Sequence, residues 1–215
     1  MDRIFSPDNL FFRTLARGVD IVGLSLLWVL LCIPVVTIGP ATAALYHAIA
    51  RVFRFHGEAG AFGLFFRSLR TNLKQGALAT LILLPFAALL CGLYWVYGAA
   101  LDAELAGATV AYVFFLVLLI IPIGLVCWLF PLLGRFQFSL PDLFVTAFRL
   151  IVAHIPTTLV MVVLTVLLVS LSAWLYPLML FAPGLWAVCA SHLLERAFAK
   201  HMEPQPEDGP DGSED

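Results

Sequence analysis

Between Cys32 and Tyr46 the sequence reads CIPVVTIGPATAALY, so that Pro34, Gly39 and Pro40 interrupt an apolar run where a membrane helix would ordinarily continue. An interior Pro removes a backbone donor and its ring collides with the carbonyl four residues earlier, here that of Leu30, so a helix must kink or stop near Pro34. Gly39-Pro40 reads as a restart, with Pro at the first position of a second helix. This break decides how many times the chain crosses a membrane and which side each loop occupies.

A membrane is the expected setting because 62% of the 215 residues are hydrophobic and only 12% charged, with a mean hydropathy of +0.99, whereas soluble domains are roughly 45–50% apolar and 25% charged. Formal net charge is -2. Six of the fourteen acidic residues, however, lie in the final stretch EPQPEDGPDGSED, residues 203–215, which reads as a disordered acidic tail. The rest carries twelve basic residues against eight acidic ones, a balance suited to a face near anionic lipid. Cys32, Cys91, Cys127 and Cys189 lie far apart within apolar runs and read as free, buried and structural, neither disulfides nor metal ligands.

In order along residues 1–202, read as one membrane domain, residues 1–18 alternate Phe and Leu with charges and suit a helix lying in the interface, starting at Ser6-Pro7-Asp8. The first apolar run covers Val19 to Ile38, and a shorter helix from Pro40 to Phe55 ends in Arg51 and Arg54, which can snorkel to an interface. After a loop at residues 56–60, Phe62 to Gln75 is a second amphipathic, basic segment. Gly76 to Gly98 is a span with Pro85 as a kink and Tyr94, Trp95 and Tyr97 as an aromatic belt. Ala108 to Pro131 spans again, Ser139-Leu140-Pro141-Asp142 starts a third amphipathic piece reaching His154, Pro156 to Tyr176 spans, and Leu178 to Leu194 returns.

Charge sets the sidedness. If residues 19–55 form a hairpin that goes out and comes back, all twelve Lys and Arg residues lie on one, cytoplasmic, side and only Asp102 and Glu104 lie outside. A single crossing would instead divide the basic segments between the two sides. Two full crossings need about 40 residues, so this hairpin is tilted, locally thinning or re-entrant, each with the same sidedness. A cleavable signal peptide also fits Arg13, Arg17 and the small-x-small triplet Ala41-Thr42-Ala43, but cleavage there would leave Arg51, Arg54, Arg67, Arg70 and Lys74 on the outer side. The expected fold is therefore all-α: a polytopic membrane helix bundle with six membrane segments and three interfacial amphipathic helices, both termini cytoplasmic. Leu10-Phe11-Phe12-Arg13-Thr14-Leu15 is echoed by Leu64-Phe65-Phe66-Arg67-Ser68-Leu69 and, more weakly, by Thr146-Ala147-Phe148-Arg149-Leu150-Ile151. That suggests a three-fold repeat of amphipathic helix plus hairpin.

The segments PVVTIGPATAALY, from Pro34 to Tyr46, and FFRSLRTNLKQG, from Phe65, resemble the YesL family of bacterial integral membrane proteins, a domain of unknown function. The likeness extends over most of residues 5–195. A later family pattern, His-Leu-Pro-Arg-Thr, is partly kept as His154-Ile155-Pro156-Thr157-Thr158, without its Arg. The resemblance implies a six-helix protein of the bacterial plasma membrane, often encoded near sugar-uptake ABC transporters and plant-polysaccharide utilisation genes, and it implies no catalytic residues.

Polar groups at membrane depth are costly and usually functional, and the sequence has few. His47 falls midway along the returning helix, suited either to proton relay or substrate contact or to a packed role with a backbone group, Thr42 or Ser25 as partner. Thr37 and Thr42 flank the break, where helix ends can meet a ligand as in discontinuous transporter helices. Pro34, Gly39, Pro40 and Tyr46 are the structural motif; Arg51, Arg54, Arg67, Arg70 and Lys74 are interfacial basic residues facing lipid, not nucleic acid. Asp20 lies one turn from Arg17, and His192 and Glu195 share a helix face at its inner end with no third ligand, so no metal site is expected. Phosphate-binding loops, HExxH, a Ser elbow and CxxC are missing, and no cofactor or enzyme chemistry is expected. Two functions remain as expectations: a non-catalytic accessory or regulatory partner of a carbohydrate-uptake ABC system, the partner class coming from the resemblance alone, or a small secondary transporter or permease. The internal evidence for the second is the broken hairpin and His47.

Overall fold

The structure, a computed structural model, describes residues 10–54, 60–136 and 138–201. The expected interfacial start at Ser6, the loop residues 55–59 and the acidic tail lie outside the described residues, as do the side chains of Arg13, Arg17 and Arg54. Every regular element among the described residues is helical: α1 (Leu10–Leu31), α2 (Ile38–Arg54), α3 (Ala61–Asp102), α4 (Ala108–Leu118), α5 (Ile120–Arg135), α6 (Leu140–Ala153), α7 (Ile155–Trp174) and α8 (Ala182–His201), with short 3-10 turns at Val35–Thr37 and Tyr176–Leu180.

The break falls where proline chemistry puts it. The last α-helical residue of α1 is Leu31; Pro34 is extended at φ -78 and ψ 110, and α2 begins at Ile38, so Pro40 sits in its first turn, where no intrahelical N–H bond is lost. Thr37 closes the turn by donating its hydroxyl to the carbonyls of Leu31 and Pro34.

α2 is the element the others surround, packing against α1, α3, α5 and α8. Ala41, Ala43, Ala44, Ala48 and Ala50 are all buried, as are Leu45, Tyr46 and Ile49. Small side chains let helix backbones approach closely, which in lipid replaces the hydrophobic drive that water would supply. Three glycines mark close approaches between α2 and its neighbours. A Cβ on Gly39 would strike Thr80 and stand 2.6 Å from the Phe130 ring; one on Gly76 would lie 2.8 Å from the Pro40 nitrogen; one on Gly134 would lie 2.5 Å from the Ala43 carbonyl oxygen.

The segments Phe62–Gln75 and Gly76–Gly98, expected as an interfacial helix and a separate span, are one continuous helix of 42 residues, α3. Gly76 does not end it because the missing side chain serves contact with Pro40, and the helix also runs through Pro85. At 1.5 Å per residue α3 is about 63 Å long, roughly twice a bilayer's hydrocarbon thickness. Its buried residues, Ala61, Phe65, Ser68, Leu69, Asn72, Gly76, Ala79 and Thr80, all belong to its first half. The tip of the α1–α2 hairpin is tied to the end of that stretch, where the Gly39 N–H donates to Thr80 Oγ1 at 3.1 Å.

A tight turn with Glu104 at φ 53 and Gly107 at φ 82 leads into α4, which packs back on α3 through Tyr97 and Phe115, ring centroids 5.3 Å apart. α4 and α5 together realise the expected span from Ala108 and extend it to Arg135. α6 starts at Ser139, whose hydroxyl donates to the Asp142 carboxylate, and buries Leu143, Ala147, Leu150 and Ile151 along one stripe while Val145, Phe148 and Val152 face outward. Among the described residues four helical stretches are long and apolar enough to cross a membrane: Val35–Val52, Ala61–Asp102, Ala108–Arg135 and Ile155–Trp174.

The second and third copies of the echoed hexapeptide share one burial order. Phe65 and Ala147 are buried, Phe66 and Phe148 exposed, Arg67 and Arg149 exposed, Ser68 and Leu150 buried, Leu69 and Ile151 buried. In both copies the Phe-Arg pair marks the outward face. Of the four cysteines, all free, Cys127 is buried, Cys32 is half-buried, and Cys91 and Cys189 are exposed, so the expectation of four buried thiols is corrected. An apolar run facing lipid carries its cysteines at the surface.

Candidate functional site

Halfway down α2 the phenol of Tyr46, 1% exposed, points into the bundle, and its OH donates to Glu195 Oε1 at 3.1 Å. The other carboxylate oxygen, Oε2, is held by Arg135 Nη1 at the last turn of α5. Glu195 is 3% exposed and Arg135 33%, so the carboxylate is enclosed while the guanidinium reaches the surface beside the Phe136 ring, 5.6 Å from its centroid. A desolvated ion pair is tolerable only when the remaining valences are satisfied; here both carboxylate oxygens are engaged. Three elements remote in sequence, α2, α5 and α8, are thereby joined at one point.

His47, next along α2, is half-buried and hydrogen-bonds the backbone of Gly134, the residue before Arg135. His192 and Glu195, which share a face in sequence, part company: His192 is exposed, its Nδ1 3.0 Å from the Val188 carbonyl, whereas Glu195 turns inward. Asp20 is half-buried in α1. Among the described residues no group of three His, Cys, Asp or Glu side chains converges to hold a metal.

The threonines at the break act as fasteners. Thr42 accepts from Trp28 Nε1 at 3.0 Å and donates to the Ile38 carbonyl at 2.7 Å. The same device recurs twice. Trp128 Nε1 bonds Thr158 at 2.9 Å, Thr158 in turn reaching the His154 carbonyl at 3.0 Å, and Trp186 Nε1 bonds Thr165 at 2.9 Å, Thr165 reaching the Met161 carbonyl at 2.7 Å. A Thr that bonds its own i-4 carbonyl keeps an oxygen lone pair for an indole N–H from a neighbouring helix. Helix pairs α1–α2, α5–α7 and α7–α8 are fixed this way without an unpaired polar atom. Sequence reasoning missed all three pairs, and Glu195 as the shared partner of Tyr46 and Arg135. The signal available was the choice of Thr and Trp at apolar depth, where Val and Phe would pack as well.

Beyond the hairpin tip lies a cavity of about 530 Å³ between α3, α5, α7 and the start of α8, with Trp28, Ile38 and Thr42 of the hairpin also lining it. The Arg51, Arg67, Arg70 and Lys74 side chains do not line it; Arg51, Arg67, Arg70 and Lys74 are exposed on the outer faces of α2 and α3.

Residues 21–95, running from α1 through the hairpin into the second half of α3, match a family model described as a protein of unknown function, DUF624. No curated protein and no solved structure matches the chain.

Proposed function

We propose that this chain is a YesL-type protein of the bacterial plasma membrane that works by binding another membrane protein, without chemistry of its own, and that its partner is the permease of a carbohydrate-uptake ABC system. The supporting observation is the closure of the polar interior: among the described residues every buried side-chain nitrogen or oxygen has a hydrogen-bond partner, and the one buried carboxylate is doubly engaged. A reaction centre needs a group left poised for a reactant. The partner class rests on the YesL resemblance, which the match over residues 21–95 supports. The proposed topology has six membrane segments, α1, α2, α3, α4–α5, α7 and α8, with both termini cytoplasmic, on the strength of the one-sided basic residues.

Mild-detergent co-purification from the native cell, followed by oligosaccharide uptake in a deletion strain, tests the reading. Recovery of an ABC permease with a reduced uptake rate supports it. The second reading, a small secondary transporter, draws on His47, mid-way along α2 against the Gly134 backbone, and on the broken hairpin. Solute movement by the protein alone in liposomes would put that reading in its place. For the topology, single-cysteine labelling of intact cells should reach Ala103→Cys and spare Ser213→Cys; the reverse pattern overturns it.

A further inference from the structure

The cavity beyond the hairpin tip has a definite chemical character. One wall is a stripe of α3 at helical spacing, Leu83, Phe86, Ala87, Leu90, Cys91 and Tyr94, which extends over about 16 Å at 1.5 Å per residue. The polar atoms deeper in its lining are already engaged, Trp28 with Thr42, Trp186 with Thr165, and both threonines with their own helix carbonyls, while Tyr94 and Trp95 lie at the exposed mouth. A sugar hydroxyl or an ion brought past that mouth would lose its water and find these groups already bonded. An empty space of this size is no better, since its lining forfeits dispersion contacts on one side, and apolar cavities hold apolar guests.

The guest must also fit. A helix with its side chains is about 10–12 Å across, so 530 Å³ would take barely one turn of a partner helix, whereas a single flexible hydrocarbon chain can follow the α3 stripe. The way in faces the bilayer, because Phe86, Tyr94, Trp95 and Val126 line the cavity and are themselves exposed. We propose that the cavity holds one acyl chain of a membrane phospholipid, entering along the second half of α3 and ending against Trp28 and Ile38. The site is independent of the partner reading above.

Tryptophan emission tests this directly. In a protein carrying Trp95→Phe and Trp174→Phe, which removes two lipid-exposed indoles, Trp28 and Trp186 report on the cavity and the buried Trp128 serves as a constant background. Nanodiscs of phosphatidylcholine brominated along its acyl chains should quench most of the emission from Trp28 and Trp186. Ala87→Phe, which fills the cavity from its α3 wall, should abolish most of that quenching, and Phe86→Ala, which enlarges it, should deepen it. A gel-filtration profile identical to the parent's shows that each variant is folded; should Ala87→Phe misfold, Phe86→Ala alone carries the test. Quenching that neither appears in the parent nor responds to the folded variants overturns the proposal. So does quenching relieved by a polyprenyl alcohol but not by unbrominated phosphatidylcholine, which would reassign the cavity to an isoprenoid.

Discussion

The two halves of α3 share one unbroken helix and nearly opposite surroundings. From Ala61 to Thr80 it carries a buried stripe of small and polar residues, Ser68, Asn72, Gly76 and Thr80 among them, opposite the exposed Arg67, Arg70 and Lys74; from Leu81 to Asp102 it is almost wholly apolar and none of its residues is buried. Among the four candidate spans of the described residues, Val35–Val52 is the least apolar and the most buried, at 56%, whereas the three more apolar ones are 17–33% buried. In water the most apolar segment would be the core. In lipid, tails satisfy Leu and Val as well as protein does, so the interior goes to residues that permit close backbones and complementary hydrogen bonds.

Glycine replacements test that contrast most severely. Gly39→Leu should remove most of the folded yield, because a Cβ there already meets Thr80, Phe130 and the Gly76 carbonyl. Gly134→Leu should do the same through Ala43; overpacking of this kind costs about 1–3 kcal/mol or more. Monodisperse yield in detergent is the measurement, with His47→Gln expected near the parent level. Equal yields for Gly39→Leu and His47→Gln would show that the close approach at the tip is dispensable.

The buried ion pair comes next. Glu195→Ala removes the carboxylate that Arg135 and the Tyr46 hydroxyl engage and should lower stability by about 3 kcal/mol, the low end of the range for breaking a buried pair, because Arg135 is 33% exposed. The double replacement Glu195→Leu with Arg135→Met should regain much of that loss. Thermal unfolding in one detergent compares the three proteins, and a double variant no better than Glu195→Ala would mean the pair does more than satisfy itself. Tyr46→Phe, which removes a donor to the same carboxylate, should cost about 1–2 kcal/mol.

The smallest expected effect belongs to the other half of α3. Gly92→Ala and Gly98→Ala meet nothing within 4 Å and should be neutral or stabilising by up to about 1 kcal/mol through helix propensity alone. A loss of stability at Gly92 as large as that at Gly39 would mean that something packs against this face.

What the sequence made legible is what acts over a few residues. The stop before Pro34, the restart in the turn holding Gly39 and Pro40, and the start of α6 at Ser139 follow from backbone donors and fixed φ angles within one helical turn. Gly76 misled, because a glycine that lets another helix approach and one that ends a helix look alike in a linear string. The Tyr46–Glu195 bond joins residues 149 positions apart, and the Trp–Thr pairs span 14, 21 and 30. Periodicity carries no information at such separations. His47 was readable as a mid-helix His, but its bond to the Gly134 backbone on α5 was not.

The distance between Tyr46 and Glu195 along the chain also sets a timetable for assembly. Synthesis proceeds at roughly 5–20 residues per second, so Tyr46 leaves the ribosome on the order of ten seconds before its carboxylate partner exists. Arg135 is made in the interval and must wait as well. During synthesis the nascent hairpin, apolar enough to enter the bilayer, lacks the contacts from α5 and α8 that later enclose it. α8 supplies the acceptor for both, so the centre can close only once that helix has been made.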